Sequence, residues 1–152
     1  MEVKQVYVAP FNVSGLKVRT RNSAELTADT AKIGPMWGRF FGEGLNEQIA
    51  PQQPAAPIYG VYSGYESDAS GAFDVTAGMA VEEPASGYET INIEEGRYLV
   101  FEGSGPMPDA VISAWQYIWN YFEANPQVPR RFATDFEVYN GPESIAVHIG
   151  IV

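Results

Sequence analysis

Residues 59–62 read Tyr-Gly-Val-Tyr, and residues 136–139 read Phe-Glu-Val-Tyr. Each quartet follows an apolar segment with helical spacing and precedes a second strand-like segment, and these flanking segments match as well. The matched positions are Met36, Trp37 and Phe40 with Ile118, Trp119 and Phe122, and then Val75 and Gly78 with Val147 and Gly150. The order and the spacing within each segment agree, so the chain reads as an internal repeat.

The repeat predicts an α+β fold with an antiparallel sheet and pseudo-two-fold symmetry. Apolar residues at helical spacing predict helices over 30–45 and 109–124, and strand-like segments flank both. Each half then runs strand–helix–strand–strand, with module one at about 1–83 and module two at about 88–152. Packed modules create a seam, which is a favoured place for a ligand groove. The alternative is that any two segments of this kind align loosely by chance.

The composition restricts the classes of function. The 152 residues form one predicted domain, carry 19 acidic against 9 basic side chains and have a net charge of −10. This acidic balance argues against direct binding to nucleic acid or to an anionic membrane surface. The absence of cysteine and the single histidine, His148, exclude disulfides, thiolate metal sites and histidine clusters. We therefore expect no metal site and no cofactor.

Targeting signals are not evident in the sequence. No apolar run approaches the roughly 20 residues of a membrane span. The first residues lack the apolar region of a signal peptide. These observations predict a cytoplasmic protein.

One position breaks the repeat and draws attention to Glu137. The first quartet has Gly60 where the second has Glu137. Glycine in a strand often marks the close approach of another group. An ordinary alternating strand with Glu137 on a solvated face is the simpler interpretation. However, Glu137 shares its face with Tyr139, and a carboxylate beside aromatic rings suits recognition of a cation.

The sequence resembles a known family over nearly its whole length. The stretches that carry the resemblance are 13–20 (Val-Ser-Gly-Leu-Lys-Val-Arg-Thr), 33–37 (Ile-Gly-Pro-Met-Trp), 59–62, 71–75 (Gly-Ala-Phe-Asp-Val), 77–78, 96–101 (Gly-Arg-Tyr-Leu-Val-Phe), 115–119 and 135–139 (Asp-Phe-Glu-Val-Tyr). Together they resemble the GyrI-like small-molecule-binding domain, the effector-binding domain of AraC-type and MerR-type multidrug regulators. Among its members, the chain is most similar in kind to free-standing drug-binding proteins carried on integron gene cassettes.

The resemblance implies a ligand and a set of site residues. Family members bind lipophilic, often cationic compounds in a groove between two modules. The family's ligand carboxylate corresponds to Glu137, and the matching groove aromatics are Trp37, Tyr59, Tyr98 and Trp115. The family is best known fused to a helix-turn-helix domain, for which this sequence, beginning at Met1, leaves no room. We therefore expect either sequestration of a compound or action through a partner protein that carries a DNA-binding domain.

Three functions remain open at this point. The leading hypothesis is a binding module without covalent chemistry. The second is a hydrolase of small electrophilic compounds, in which Glu137 acts as general base with Tyr139 or Tyr59. The third is an interaction protein whose acidic surface inhibits a topoisomerase-like partner.

Overall fold

The computed structural model describes residues 3–51, 53 and 56–152. Residues 1, 2, 52, 54 and 55, which belong to predicted module one, therefore lie outside the described residues. The strands are β1 (Val3–Val8), β2 (Phe11–Thr20), β3 (Ile58–Ser63), β4 (Phe73–Val81), β5 (Glu89–Ile93), β6 (Gly96–Ser104), β7 (Asp135–Gly141) and β8 (Ser144–Gly150). The α-helices are α1 (Ile33–Gly42), α2 (Leu45–Ile49) and α3 (Asp109–Ala124).

The strands form one antiparallel sheet in the order β1-β6-β8-β7-β3-β4-β2-β5. If β1, β2, β3 and β4 are exchanged with β5, β6, β7 and β8 in turn, the result is the same strand order read backwards. Each strand therefore has a counterpart in the other half. The seam between the halves is the pairing of β3 with β7. The predicted fold class, α+β with an antiparallel sheet and pseudo-two-fold order, is confirmed.

Each edge strand of the sheet pairs with a strand from the other half of the chain. Strand β1 pairs with β6, and β5 pairs with β2. Only two residues connect β1 to β2, and only two connect β5 to β6, although these strands lie near opposite ends of the sheet order. Two residues can span only about 11 Å between strand ends. The connections therefore draw the two ends of the sheet together and curve it strongly.

The helices cover the outer face of this curved sheet. Helix α3 buries Ala110, Ala114 and Ile118, which are four residues apart and so share one side of the helix. Helix α1 buries Met36 and Phe40 over the other half of the sheet. The inner face encloses a separate core, whose buried members are Val13, Val61, Ile93, Tyr98, Phe136 and Val138.

The helix predicted over 30–45 is shorter in the structure, where α1 covers Ile33–Gly42 and a second helix, α2, begins only at Leu45. Gly44 has φ +61°, a left-handed conformation that ends α1 and precedes α2. The carboxylate of Glu25 caps the start of α1, because it accepts hydrogen bonds from the backbone N–H groups of Lys32 and Ile33 at 2.9 and 3.1 Å. Helix α3 has the predicted bounds. None of the helices among the described residues is long and apolar enough to span a bilayer.

Candidate functional site

The seam between β3 and β7 places Gly60 directly opposite Glu137. On one side of this pair Tyr59 lies opposite Val138, and on the other side Val61 lies opposite Phe136. The repeat matches Tyr59 with Phe136 and Val61 with Val138, so it converts each of these two pairs into the other. The pseudo-two-fold axis therefore passes through the Gly60–Glu137 pair. Side chains alternate along a strand, so Glu137 faces the helices while Phe136 and Val138 face the inner core.

Glu137 is 1% exposed and lies beneath the helices. Three neutral donors bind its two oxygens. Tyr139 Oη donates to Oε1 at 2.8 Å, Tyr62 Oη donates to Oε2 at 2.8 Å, and Trp115 Nε1 donates to Oε2 at 2.7 Å. Within residues 3–51, 53 and 56–152, none of the ion pairs includes Glu137. The carboxylate is thus held in place by hydrogen bonds but not neutralised.

Burial raises the pKa of the Glu137 carboxyl group, because the ionised form loses its hydration. The hydrogen bonds from Trp115, Tyr62 and Tyr139 act in the opposite direction and lower this pKa. The pKa of Tyr139 is raised by burial and by the nearby Glu137 charge, and the pKa of Tyr62 is raised for the same reasons. Both phenols therefore stay protonated and act as donors.

The glycine at position 60 is required by the space that Glu137 occupies. A Cβ atom added to Gly60 would lie 2.6 Å from Glu137 Oε1 and 3.2 Å from Trp37 Cζ2. The first distance is too short for a real contact, so any side chain at position 60 would displace the carboxylate. The break in the repeat is the steric consequence of placing one glutamate on the symmetry axis.

Aromatic rings from both halves flank Glu137 in a similar way. The Trp37 ring on α1 packs against Tyr139 with the ring centroids 5.5 Å apart. The Trp115 ring on α3 packs against Tyr62 with the centroids 5.0 Å apart. Each tryptophan thus contacts a tyrosine of the opposite half. Of the predicted site residues, the structure brings Glu137, Trp37 and Trp115 together.

The structure places Tyr59 and Tyr98 away from Glu137, in the inner core. Tyr59 is next to Gly60 in β3, so its side chain points to the opposite face, where its ring lies 6.1 Å from that of Phe136. Tyr98 is fully buried in the same inner core, and its hydroxyl donates to Glu94 O. The pairing of Glu137 with Tyr59 in the hydrolase hypothesis is excluded by the same geometry.

The tyrosine that the sequence interpretation missed is Tyr62. It lies two residues after Gly60, and side chains two apart share a face of the sheet. Since Gly60 corresponds to Glu137 in the repeat, Tyr62 corresponds to Tyr139. The period-two pattern therefore contained the signal for this donor.

A second buried carboxylate, Asp135, lies two residues before Glu137 on the same face. Asp135 Oδ2 accepts hydrogen bonds from Arg130 Nη2 at 2.8 Å and from Tyr65 Oη at 2.5 Å, and Oδ1 accepts one from the Gly150 N–H at 2.7 Å. The Arg130 guanidinium also lies over the Phe132 ring, 4.4 Å from its centroid. Asp135 therefore has an internal cation among aromatic rings, and Glu137 has the rings but no cation.

The groups around the Glu137 carboxylate are two phenols and an indole, not further carboxylates. Across the described part of the chain, no three His, Asp or Glu side chains are grouped so that they could hold a metal ion. Phenol and indole groups stabilise the carboxylate, and ring faces offer contact to an organic cation.

Comparison with known proteins identifies the family of the chain. Residues 6–151 match the model of the family described as Cass2, integron-associated effector binding protein. The chain belongs to this family. The resemblance to integron cassette-encoded effector-binding proteins is thereby confirmed. Among curated proteins, no sequence matches the chain.

Solved structures show the fold of this integron-associated effector binding family and of more distant proteins. The integron cassette protein VCH_CASS2 from the mobile metagenome of Vibrio cholerae is 34% identical, with a TM-score of 0.86 over 99% of this chain and 95% of that chain. SAV2435, solved bound to tetraphenylphosphonium, is 21% identical, with a TM-score of 0.80 over 100% and 94%. A putative transcription regulation protein of Staphylococcus aureus MU50 is 21% identical, with a TM-score of 0.78 over 99% and 98%.

Membership of the integron-associated effector binding family assigns the class of function. The family is described by the binding of an effector and not by a reaction. Small-molecule binding is therefore the activity of this class of protein, and Glu137 with its aromatic surroundings is the candidate place for it.

Proposed function

We propose that the protein binds lipophilic organic cations at Glu137, in a groove between the two modules. The observation that carries this proposal is the difference in partners between the two buried carboxylates. Asp135 is paired with Arg130, whereas Glu137 has only the neutral donors Tyr62, Tyr139 and Trp115. A buried charge without a countercharge is costly, so a bound cation would relieve that cost.

The surroundings of Glu137 support a lipophilic ligand. The rings of Trp37 and Trp115 flank the carboxylate, and aromatic faces attract cations while also burying apolar surface. SAV2435, which shares the fold, was solved with a cation that carries four aromatic rings. A lipophilic cation would satisfy both the charge and the rings of this site.

The decisive experiment compares a cation with a neutral molecule of similar shape. Methyltriphenylphosphonium and triphenylphosphine oxide differ mainly in charge, and calorimetric titration measures the affinity of both for the wild type and for Glu137→Gln. We expect the variant to bind the cation about 5-fold to 150-fold more weakly, which corresponds to about 1–3 kcal/mol for a charged contact. Binding of the oxide should change little.

Glu102→Gln is the matched control, because Glu102 is an exposed residue that pairs with Lys4 and the substitution changes the net charge equally. Cation affinity in this control should stay close to that of the wild type. Equal losses for both ligands in Glu137→Gln would mean that Glu137 shapes the pocket and does not recognise charge. Unchanged affinity for the cation would exclude Glu137 as its binding site.

The hydrolase alternative requires Glu137 to accept a proton from water. A carboxylate has about four lone-pair sites, and three hydrogen bonds already occupy the oxygens of Glu137. We expect no turnover of a reactive aryl epoxide by the wild type. Turnover that is lost in Glu137→Gln would favour the hydrolase over the binding module.

The remaining expectations from the sequence stay predictions. They are a cytoplasmic location, a partner protein that carries a DNA-binding domain, and inhibition of a topoisomerase-like partner. The acidic composition also predicts that the protein does not bind duplex DNA directly.

A further inference from the structure

Two large aromatic side chains remain exposed next to the tryptophans that flank Glu137. Phe41 on α1 is 59% exposed, and Trp119 on α3 is 44% exposed. Phe41 follows Trp37 by four residues, and Trp119 follows Trp115 by four residues. Residues four apart lie on one side of a helix, one turn from each other. Each helix therefore carries an inner ring beside Glu137 and an outer ring at the surface.

The outer rings contact the inner rings directly. Phe41 stacks on Trp37, with centroids 5.8 Å apart and planes 21° from parallel. Trp119 lies 6.2 Å from Trp115, with its plane tilted by 42°.

The inner rings in turn lead to the carboxylate. Trp37 packs on Tyr139, which donates to Glu137 Oε1, and Trp115 donates to Glu137 Oε2. An unbroken series of contacts thus runs from the exposed ring of α1 through the carboxylate to the exposed ring of α3.

Exposed rings of this size lack the stabilisation that burial of apolar area would give. Their continuity with a buried carboxylate on the symmetry axis indicates which molecule covers them. A compact cation at Glu137 would contact only the inner rings. A cation that carries several flat arms would extend along each helix and cover the outer rings as well.

We propose that Phe41 and Trp119 form an outer aromatic pair that contacts the arms of the bound cation and selects cations with several aromatic rings over compact ones. This inference rests on the proposed function, since it concerns the ligand of the same site. Phe41 and Trp119 are specificity residues here, whereas Glu137 supplies the attraction for charge.

The test compares tetraphenylphosphonium with tetramethylphosphonium, which has the same charge and central atom but no rings. Equilibrium dialysis measures both affinities for the wild type, Phe41→Ala, Trp119→Ala and the double variant. We expect each single variant to bind tetraphenylphosphonium about threefold to tenfold more weakly, the range for the loss of one aromatic contact. The double variant should show about the product of these losses. Affinity for tetramethylphosphonium should change by less than about twofold.

Tyr7→Ala is the control for an exposed aromatic ring outside this series. Tyr7 is 68% exposed on the edge strand β1, and its hydroxyl donates to Glu95. This variant should bind both cations as the wild type does. Phe41→Leu and Trp119→Leu keep apolar bulk on the helices and provide folded variants if an alanine variant is unstable. They should also discriminate less between the two cations.

Several results would overturn the inference. Unchanged affinity for tetraphenylphosphonium in the double variant would overturn the inference about the outer rings. If Glu137→Gln still lost affinity for the cation, the proposed function would stand. Equal losses for both cations would show that the outer rings support the inner site and do not select ligands. A wild-type dimer that dissociates in the double variant, with unchanged ligand affinity, would assign the rings to self-association. Absence of any cation binding by the wild type would overturn both proposals.

Discussion

Asp135 and Glu137 lie two residues apart on the same face of β7, and both are almost completely buried. Asp135 pairs with Arg130, whose side chain is 8% exposed and lies over the Phe132 ring. Glu137 lies among aromatic rings as well, but its partners are phenol and indole groups. The chain thus completes one cation–carboxylate–aromatic cluster with its own arginine and leaves the other without a cation. We interpret the first as structural and the second as the ligand site.

The largest expected effect is on the stability of the Asp135 cluster. Asp135→Asn keeps the shape of the side chain but leaves Arg130 buried without a countercharge. Breaking a buried ion pair in this way costs about 3–5 kcal/mol. Urea denaturation should show a lower free energy of unfolding by about that amount.

Asp74→Asn is the matched control for this substitution. Asp74 pairs with Arg19 at 3.1 Å, and solvent reaches both side chains, which are 18% and 49% exposed. Exposed pairs contribute about 0–1 kcal/mol, so this variant should stay near the wild type. Similar losses in the two variants would mean that burial does not distinguish Asp135 from an ordinary surface pair.

An intermediate effect is expected from the donors to Glu137. Tyr62→Phe and Tyr139→Phe each remove one hydrogen bond to a buried carboxylate, which contributes about 1–3 kcal/mol. The two tyrosines occupy corresponding positions in the two halves, so we expect similar losses in the free energy of unfolding at neutral pH. The losses should shrink at low pH, where Glu137 is protonated.

Tyr88→Phe serves as the comparison for these variants, because the Tyr88 hydroxyl donates to Gln48 at the surface. Its free energy of unfolding should stay within about 0.5 kcal/mol of the wild type. If Tyr62→Phe behaves like Tyr88→Phe, the hydrogen bonds at Glu137 do not stabilise the buried charge.

The smallest effect is expected from Glu137→Gln, and it has the opposite sign to that of Asp135→Asn. The glutamine oxygen can accept from Tyr62 and Trp115, and its amide can donate to the Tyr139 oxygen, so each group keeps a partner. Removal of the unpaired charge should leave the stability at neutral pH unchanged or improved. Thermal unfolding of the ligand-free variant and wild type measures the difference.

The pH dependence of this difference follows from the raised pKa of Glu137. The unfolded carboxyl titrates near the ordinary value of 4.5, and the folded carboxyl titrates above it. The wild type is therefore most stable relative to Glu137→Gln below pH 4.5 and loses that advantage as the pH rises through the raised pKa. Each unit of pKa difference corresponds to about 1.4 kcal/mol. An advantage of the wild type that grew with pH would contradict burial as the dominant cause.

The affinity for a cation should also change as Glu137 titrates, but it should rise with pH where the relative stability of the wild type falls. Ionisation of Glu137 creates the charge that attracts the ligand, so affinity should rise with pH across this range. A pH-independent affinity would place the cation away from Glu137. Such a result would also remove the functional contrast between Glu137 and Asp135.

Much of the candidate site could be predicted from local pattern. The repeat placed Gly60 opposite Glu137 in the alignment, and the structure pairs these two residues across the seam. Alternation correctly placed Tyr139 beside Glu137, and the same rule excludes Tyr59 and points to Tyr62. The resemblance to the family matches ring types and does not specify which face of the strand Tyr59 occupies.

Other features depend on contacts between distant segments. The repeat aligns Trp37 with Trp119, yet the tryptophan that donates to Glu137 is Trp115. One helical turn separates the two, and the position of α3 over the sheet determines which of them reaches the carboxylate. Likewise, β1 pairs with β6 of the second half and β5 pairs with β2 of the first half, and these pairings depend on the arrangement of the whole sheet.

By itself, the sequence determined the repeat, the α+β architecture and the one position at which the halves differ. These features follow from hydrophobic period and from residue type, which are properties of short segments. Only the tertiary structure decided that Asp135 has an internal cation and that Glu137 has none. Phe132 is close to Arg130 along the chain, and Tyr139 is close to Glu137. However, the second ring near the arginine, Phe122, and the other two donors to Glu137, Tyr62 and Trp115, come from separate elements. Packing of those elements, which no short segment encodes, is what leaves one buried carboxylate available to a ligand.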